Sequence, residues 1–133
     1  MAPEEPPEGF PEFEEGYLEA LLWSEARYDE EGESEGNWDD DFTVDDFEPE
    51  SLASHRIEIL DFFQAQTEDL TSANLSGFSW ESLGHDFCLT RNGHGAGYWD
   101  RGLGSLGDRL SEACKPYGEA TIYLATEDTL GIQ

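Results

Sequence analysis

The stretch HDFCLTRNGHGAGYWDRG, residues 85–102, places two histidines, two aspartates and two arginines around a glycine-rich centre. Its outer segments, HDFCLT and GAGYWD, are apolar and aromatic, as strands with a buried face are. Between them lies RNGHG, in which Asn92-Gly93 readily adopts the positive φ angles of a tight turn. The pattern therefore predicts a β-hairpin over residues 86–100.

Helices are predicted on both sides of this hairpin. Apolar residues recur at helical spacing near residues 17–30, 51–70 and 103–116, and Ser51 is a suitable N-cap for the second of these helices. SWESLG, residues 79–84, is typical of a single helical turn that ends at its glycine. The hairpin is thus expected to lie between helical segments.

The remaining segments complete the predicted fold. The β-branched and aromatic run ATIYLATED predicts a strand over residues 120–126, whereas the prolines and glutamates of residues 1–15 predict an extended acidic tail. We therefore expect a single α+β domain over residues 16–133, with an acidic N-terminal helical half. Its small antiparallel sheet is formed by the hairpin and the C-terminal strand and packs against two to four helices.

Acidic residues dominate the composition and lie mainly in the N-terminal part. The 133 residues include 32 Asp and Glu against 6 Lys and Arg, which gives a formal net charge of −26. Residues 1–50 hold 20 acidic residues and one basic residue, Arg27, and contribute −19. A chain of this charge repels nucleic acid and anionic membranes and attracts basic surfaces. We therefore expect a basic protein as the partner, with no nucleic acid and no membrane.

The cysteines and the N-terminal sequence bear on the compartment. Cys88 is expected in a strand and Cys114 in a helix, and the two lack the spacing of a CxxC pair or a Cys/His metal site. Buried thiols in a reducing cytosol are the favoured interpretation, with a disulfide as the alternative. The start MAPEEPPEGF is acidic and Pro-rich, unlike a signal peptide, and the sequence has no transmembrane run. These features indicate a cytosolic protein.

The polar residues of the 85–102 stretch allow two interpretations. Two histidines and two aspartates have the chemistry of an acid–base or metal site if they converge: His85, His94, Asp86 and Asp100. Neighbouring residues of a strand point to opposite faces, however, which separates His85 from Asp86. The favoured interpretation is a structural charge network across the hairpin, made by Asp86, Arg91, Asp100 and Arg101.

Residues 86–87, 90–95 and 97–102, followed by Tyr117-Gly118 and Tyr123, form a recognisable pattern. It resembles the motif DFxLTRNGHGxGFWDRG, followed by a helix and YGxxxxY, in small and mostly uncharacterised bacteriophage and bacterial proteins. The similarity runs from about residue 80 to residue 124. It implies a shared fold and a phage-associated context, and it implies no particular chemistry.

The clustered carboxylates indicate how the protein acts. Acids one helical turn apart lie roughly 6 Å apart along the helix axis, and duplex DNA carries one charge per roughly 3.4 Å of axis on each strand. A helical ridge of acid pairs at this spacing can therefore imitate a phosphate backbone: Glu15 and Glu19, Glu25 and Asp29, Glu31 and Glu35. In this respect the chain resembles the DNA-mimic proteins with which phages inhibit restriction and CRISPR enzymes.

We therefore hypothesise an anti-defence inhibitor that binds and blocks a DNA-binding defence protein in the host cytoplasm. It needs no catalysis, no cofactor and no metal. The predicted partner-binding residues are carboxylates that mimic phosphates and two aromatic anchors among them. They are Glu25, Asp29, Glu30, Glu31, Glu33, Glu35, Trp38, Asp39, Asp40, Asp41, Phe42, Asp45 and Asp46. For Trp38 and Phe42, packing against the domain's own core is the alternative.

Two other functions remain open from the sequence. A halophilic protein would also be rich in Asp and Glu and poor in Lys, although its acids would cover the whole surface rather than the first 50 residues. An acidic accessory domain with a His/Asp site in the 85–102 hairpin is the second alternative.

Overall fold

The computed structural model describes residues 7–28 and 31–133, which form five α-helices and two antiparallel strand pairs. This arrangement confirms the α+β class. The elements are α1 (Phe10–Ser24), β1 (Ala26–Tyr28), β2 (Ser34–Asn37), α2 (Pro49–Ala65), α3 (Thr67–Leu75), α4 (Trp80–Arg91), α5 (Ser105–Cys114), β3 (Ile122–Leu124) and β4 (Leu130–Ile132). Short 3-10 turns occupy Trp38–Asp40, Val44–Asp46, Tyr98–Asp100 and Lys115–Tyr117.

Helix α1 begins earlier and ends earlier than the sequence predicted. Phe10, Phe13 and Tyr17 are buried on one face of the helix, and a proline in the first turn is compatible with it. The expectation of an extended tail is therefore wrong for residues 10–15, while residues 1–6 lie outside the described part of the chain. The helix ends at Ser24, so the predicted extension to residue 30 is wrong as well.

Helix α4 replaces the predicted hairpin. Residues 80–91 are helical, and the Ser79 hydroxyl caps this helix by accepting a hydrogen bond from the Ser82 amide at 3.1 Å. Leu83 and Phe87 are fully buried one turn apart. The prediction of a hairpin over 86–100 is therefore wrong, as is the placement of Cys88 in a strand.

Gly84 accounts for the incorrect prediction that a helix ends at residue 84. It lies in the middle of α4, where a Cβ atom would collide with the Phe13 carbonyl oxygen of α1. Glycine at this position thus permits close approach of two helices and does not end one. The positive φ expected of the Asn92-Gly93 turn is present at Gly93 alone, at +67°, just beyond the end of α4.

The helix predicted over 51–70 is two helices. Helix α2 begins at Pro49 and the chain bends at Gln66 before α3 begins at Thr67. Ser51 does not cap α2, because its hydroxyl accepts a hydrogen bond from the Ile132 amide of β4 at 2.8 Å. Helix α5 lies within the predicted range of 103–116.

The strand predicted over 120–126 exists as β3, but its partner differs from the predicted one. It pairs antiparallel with β4, in the register Ile122 to Ile132 and Leu124 to Leu130. Leu130 also forms a bridge to Phe47, which joins the C-terminal strand pair to the acidic N-terminal half. The second strand pair, β1 with β2, contains the residues that follow α1.

Aromatic rings fill the core where α1, α2 and α4 meet. Phe62 and Phe87 stack with ring centroids 3.9 Å apart, and Phe13 lies 6.1 Å from Phe87. Tyr98 completes the stack and donates its hydroxyl proton to the Leu83 carbonyl oxygen at 2.6 Å. Such pairs each contribute about 0.5–1.5 kcal/mol beyond the burial of their area. Within the described ranges, none of the helices has the length and apolar character to span a bilayer.

Candidate partner-binding face

The predicted carboxylates lie on turns and a strand pair, not on a helix. Of the described members of the predicted acid pairs, only Glu15 and Glu19 lie on a helix, α1; Glu25 follows its end, Glu31 lies between β1 and β2, and Glu35 lies in β2. Glu31 and Glu33 are exposed between β1 and β2, whereas Asp29 and Glu30 lie outside the described residues. We call residues 31–46 the acidic segment.

Arg27 of β1 contacts three side chains of the acidic segment. Its guanidinium donates to the Asp41 carboxylate at 2.8 Å and lies 5.3 Å from the ring centre of Trp38 and 5.4 Å from that of Phe42. The single basic residue of the first 50 therefore stacks on both of the predicted anchors. Trp38 is buried, which supports core packing rather than partner contact, and Phe42 is half-buried.

Two of the predicted partner-binding aspartates fold the segment. Asp40 accepts a hydrogen bond from the Asn37 amide at 2.9 Å, and Asp46 accepts one from the Thr43 amide at 2.8 Å. Both contacts are those of a capping box, in which a side chain bonds the backbone three residues before it. The spacings Asn37-x-x-Asp40 and Thr43-x-x-Asp46 are visible in the sequence, so this role was predictable.

Asp39 and Asp45 remain as exposed carboxylates on this folded frame. Within the described part of the chain, neither side chain makes a hydrogen bond or an ion pair. They project from two consecutive 3-10 turns whose shape is set by the capping contacts. These two residues therefore agree best with the predicted role of presenting charge to a partner.

Glu25 has a different role from the predicted one. Its Oε1 atom accepts a hydrogen bond from Asn92 Nδ2 at 3.1 Å and lies 3.5 Å from His94 Nε2. Asn92 Nδ2 in turn donates to the Ala120 carbonyl oxygen at 3.0 Å, and Asn92 Oδ1 accepts a hydrogen bond from the Ala120 amide at 2.8 Å. Glu25 thus connects the end of α1 to the end of α4, and its Oε1 atom is engaged by the chain's own residues.

An apolar groove, which was not predicted from the sequence, lies beside the acidic segment. The groove has a volume of about 490 Å³ and shares its walls between α1, α4 and the two 3-10 turns. Its lining is mainly apolar and aromatic and includes two carboxylates, those of Glu19 and Asp39. The other lining residues are Leu22, Trp23, Phe42, Thr43, Val44 and His85. Trp23 is 52% exposed, which is unusual for so large a ring in a folded domain.

His85 forms the end wall of this groove. Its ring centroid lies 5.5 Å from that of Trp23. Burial lowers the pKa of His85, and Arg101 lowers it further, against the opposing effects of Asp86 and Glu19. The imidazole is therefore neutral at neutral pH, so it extends the apolar surface without adding a positive charge.

A second depression, of about 500 Å³, continues the groove on the far side of His85. It shares Glu19 and His85 with the first depression and adds Phe78 and Glu81. Asp86 and Arg101 also line it, and they are joined by a bidentate ion pair with distances of 2.8 to 3.2 Å. The two depressions are therefore neighbours along α1 and α4, with Glu19 and His85 common to both, and together we call them the trough.

The arrangement argues against the alternative His/Asp site. Asp86 is buried and bound by Arg101, while His85 stacks on Trp23 and His94 contacts Glu25. No group of three or more His, Cys, Asp or Glu residues in the described ranges is placed to hold a metal ion. Part of the predicted charge network is present, because Arg101 contacts Asp86 and, at 3.8 Å, Asp100. These contacts join a helix and a turn rather than the two strands of a hairpin.

Arg91, the remaining residue of the predicted charge network, belongs instead to a separate network of hydrogen bonds in the protein interior. Its guanidinium donates to the Tyr17 hydroxyl at 3.1 Å, to Glu58 at 3.4 Å and to the carbonyl oxygens of Tyr117 and Gly118 at 2.9 Å. The Tyr17 hydroxyl lies 2.7 Å from Nε2 of His55, whose Nδ1 lies 3.3 Å from Glu58. Tyr17 is fully buried and Glu58 is partly exposed, so this polar network joins α1, α2 and α4 from the core outward to the surface.

The cysteines are buried and free, which confirms the expectation of unpaired thiols. Burial raises the pKa of both thiols to about 12. A thiol that stays protonated is a poor nucleophile and a poor metal ligand. Cys88 and Cys114 therefore have the properties of small apolar core residues.

No protein-family model, no curated protein and no solved structure matches this chain. The similarity of residues 80–124 to phage proteins stays a prediction.

Proposed function

We propose that this chain is a phage-type inhibitor that blocks a DNA-binding defence protein, such as a restriction or CRISPR complex, in the host cytoplasm. Its acidic segment takes the place of DNA phosphates on a basic surface of that protein. Inhibition follows from occupancy of the surface, without a chemical step. The observation that carries the proposal is the pair of exposed and unpaired carboxylates, Asp39 and Asp45, held on turns that are folded by the chain's own contacts.

The electrostatics of the segment support this function. Arg27 is the only basic residue among the first 50, and it already contacts Asp41 and two aromatic rings. Among the described residues, the carboxylates of Asp39 and Asp45 are presented outward without an ion pair. Such a field attracts a basic surface from a distance and speeds association at low salt.

The folded turns also favour binding energetically. A flexible acidic tail loses conformational entropy when it is ordered against a partner. In the acidic segment, Asp40 and Asp46 fix the backbone before any partner arrives, and Arg27 from β1 holds the Phe42 side chain. The exposed carboxylates can then act as a fixed charge pattern, as DNA phosphates do.

The test is capture from a bacterial lysate on the immobilised protein, followed by elution with duplex DNA and identification by mass spectrometry. We expect a DNA-binding protein that is released by duplex DNA and by moderate salt, because both compete for the same basic surface. A partner that is unaffected by duplex DNA would contradict the proposal. Absence of any salt-sensitive partner would favour the halophilic interpretation instead.

A matched pair of charge variants locates the site. Asp39→Asn with Asp45→Asn removes two charges from the acidic segment, and Glu127→Gln with Asp128→Asn removes two exposed charges from the turn between β3 and β4. We expect the first variant to bind the captured partner about tenfold more weakly at low salt. Equal effects of the two variants would show that net charge, rather than this segment, determines binding.

A further inference from the structure

The trough along α1 and α4 combines an apolar floor with an acidic rim. Trp23, Phe42 and Val44 form the floor of its first half, and Phe78 lies in the second half. Trp23 keeps 52% of its surface exposed although apolar neighbours surround it. Desolvating such a ring against a partner's apolar side chain releases free energy that a purely charged surface does not supply.

The charge of the rim selects the occupant. Glu19, Asp39 and Glu81 are exposed at the edge of the trough, and within the described residues none of them makes an ion pair. The one cationic side chain in the lining is Arg101, whose guanidinium is engaged by the buried carboxylate of Asp86. The trough is therefore electronegative and lacks a cation that is free to bind an acid.

We propose that this trough binds a basic segment of the partner protein that places an apolar side chain against Trp23, Phe42 and Val44. Lysine or arginine residues on either side of that apolar residue pair with Glu19 and Asp39. This inference rests on the proposed function and specifies it: the acidic segment supplies long-range attraction, and the trough supplies the choice of partner. A basic surface without an apolar residue at this place binds weakly.

Charge argues against other occupants. A second copy of this chain carries a net charge of −26, so it meets like charge at the rim. The chain's own first residues, MAPEEP, are acidic as well. Nucleic acid and anionic lipid are repelled for the same reason.

The test uses two fluorescein-labelled peptides of equal charge, RKLARKLARK and RKSARKSARK, and measures fluorescence anisotropy at about 150 mM salt. We expect the leucine peptide to bind about tenfold more tightly than the serine peptide. Trp23→Ala removes this preference, and Trp99→Ala is the matched control because Trp99 is 53% exposed and lies outside the trough. Glu19→Gln weakens both peptides by the same factor, since it removes rim charge alone.

Equal binding of the two peptides, or equal effects of Trp23→Ala and Trp99→Ala, would overturn this inference. A concentration-dependent dimer that sedimentation detects in the wild type and not in Trp23→Ala would also overturn it, because a second copy would then be the occupant. Circular dichroism confirms that each variant is folded. These outcomes are independent of release by duplex DNA, so the inference and the proposed function fail separately.

Discussion

Gly16 and Gly84 face each other's helices in a reciprocal contact. A Cβ atom on Gly16 would collide with the Glu81 carbonyl oxygen of α4, and one on Gly84 with the Phe13 carbonyl oxygen of α1. In each case the carbonyl belongs to the residue three positions before the opposite glycine. The two backbones therefore approach more closely than any other side chain would allow, and this contact brings Phe13 and Phe87 into the aromatic core.

The first prediction concerns this contact. Gly84→Ala should lower the free energy of unfolding by about 1–3 kcal/mol, because the added methyl group meets backbone that cannot move independently. The sign is diagnostic, since alanine in an unobstructed helix interior stabilises by about 1 kcal/mol relative to glycine. Urea denaturation followed by circular dichroism measures the change. An unchanged or higher midpoint would show that α1 and α4 lie farther apart.

The second prediction concerns pH. Burial and, to a smaller extent, the charge of Arg91 lower the pKa of His55 from an ordinary value of 6.5 to about 4, while Tyr17 and Glu58 occupy the two ring nitrogens. Below pH 6.5 the His55 imidazole therefore becomes protonated in the unfolded chain, whereas in the folded protein it stays neutral to a lower pH. The contribution of this group is complete above pH 6.5 and is lost as the pH falls from about 6.5 to about 4, by about 3 kcal/mol in all.

Two measurements check the His55 prediction. The imidazole resonances of the folded protein, followed by NMR, should show no protonation of His55 at pH 5.5. The unfolding free energy of His55→Gln should depend less steeply on pH than that of the wild type between pH 6.5 and 4. Protonation of the many carboxylates affects both proteins alike, so the difference between the curves isolates His55. Parallel curves would contradict the prediction.

The third prediction concerns Arg27. Arg27→Lys keeps the positive charge but loses the planar group that stacks on Trp38 and Phe42, so residues 31–46 should exchange amide hydrogens faster while α2 and α4 remain protected. The global free energy of unfolding should fall by only about 0.5–1 kcal/mol. Hydrogen–deuterium exchange with mass spectrometry resolves the two regions. Uniform acceleration across the helices would mean that Arg27 supports the whole core.

Local signals in the sequence predicted the elements whose cause is local. Helix α5 and strand β3 follow from apolar spacing and β-branched residues over short stretches. Helix α4 was missed because Gly84 is a helix-ending residue in isolation and a packing residue only when α1 is present. Tertiary contact thus overrides the local preference of this residue.

The candidate site was predictable in part for a similar reason. The carboxylates are conspicuous in the sequence, but among the described residues only Asp39 and Asp45 of the expected aspartates are left free, because Asp40 and Asp46 act as caps and Asp41 pairs with Arg27. The trough was not predictable at all. In the sequence, Trp23 is one of several apolar residues in a leucine-rich helix. Its place in the trough depends on α4, which positions His85 next to it.

The capping contacts of Asp40 and Asp46 have an evolutionary consequence. Asp40 and Asp46 are needed for the segment to fold. Their replacement by a residue that cannot accept a hydrogen bond from the Asn37 or Thr43 amide is therefore selected against, whichever partner the protein binds. Under the proposed function, Asp39 and Asp45 contact only the partner and can diverge when that partner changes. The proposal therefore predicts sequence variation at Asp39 and Asp45 and constancy at Asp40 and Asp46.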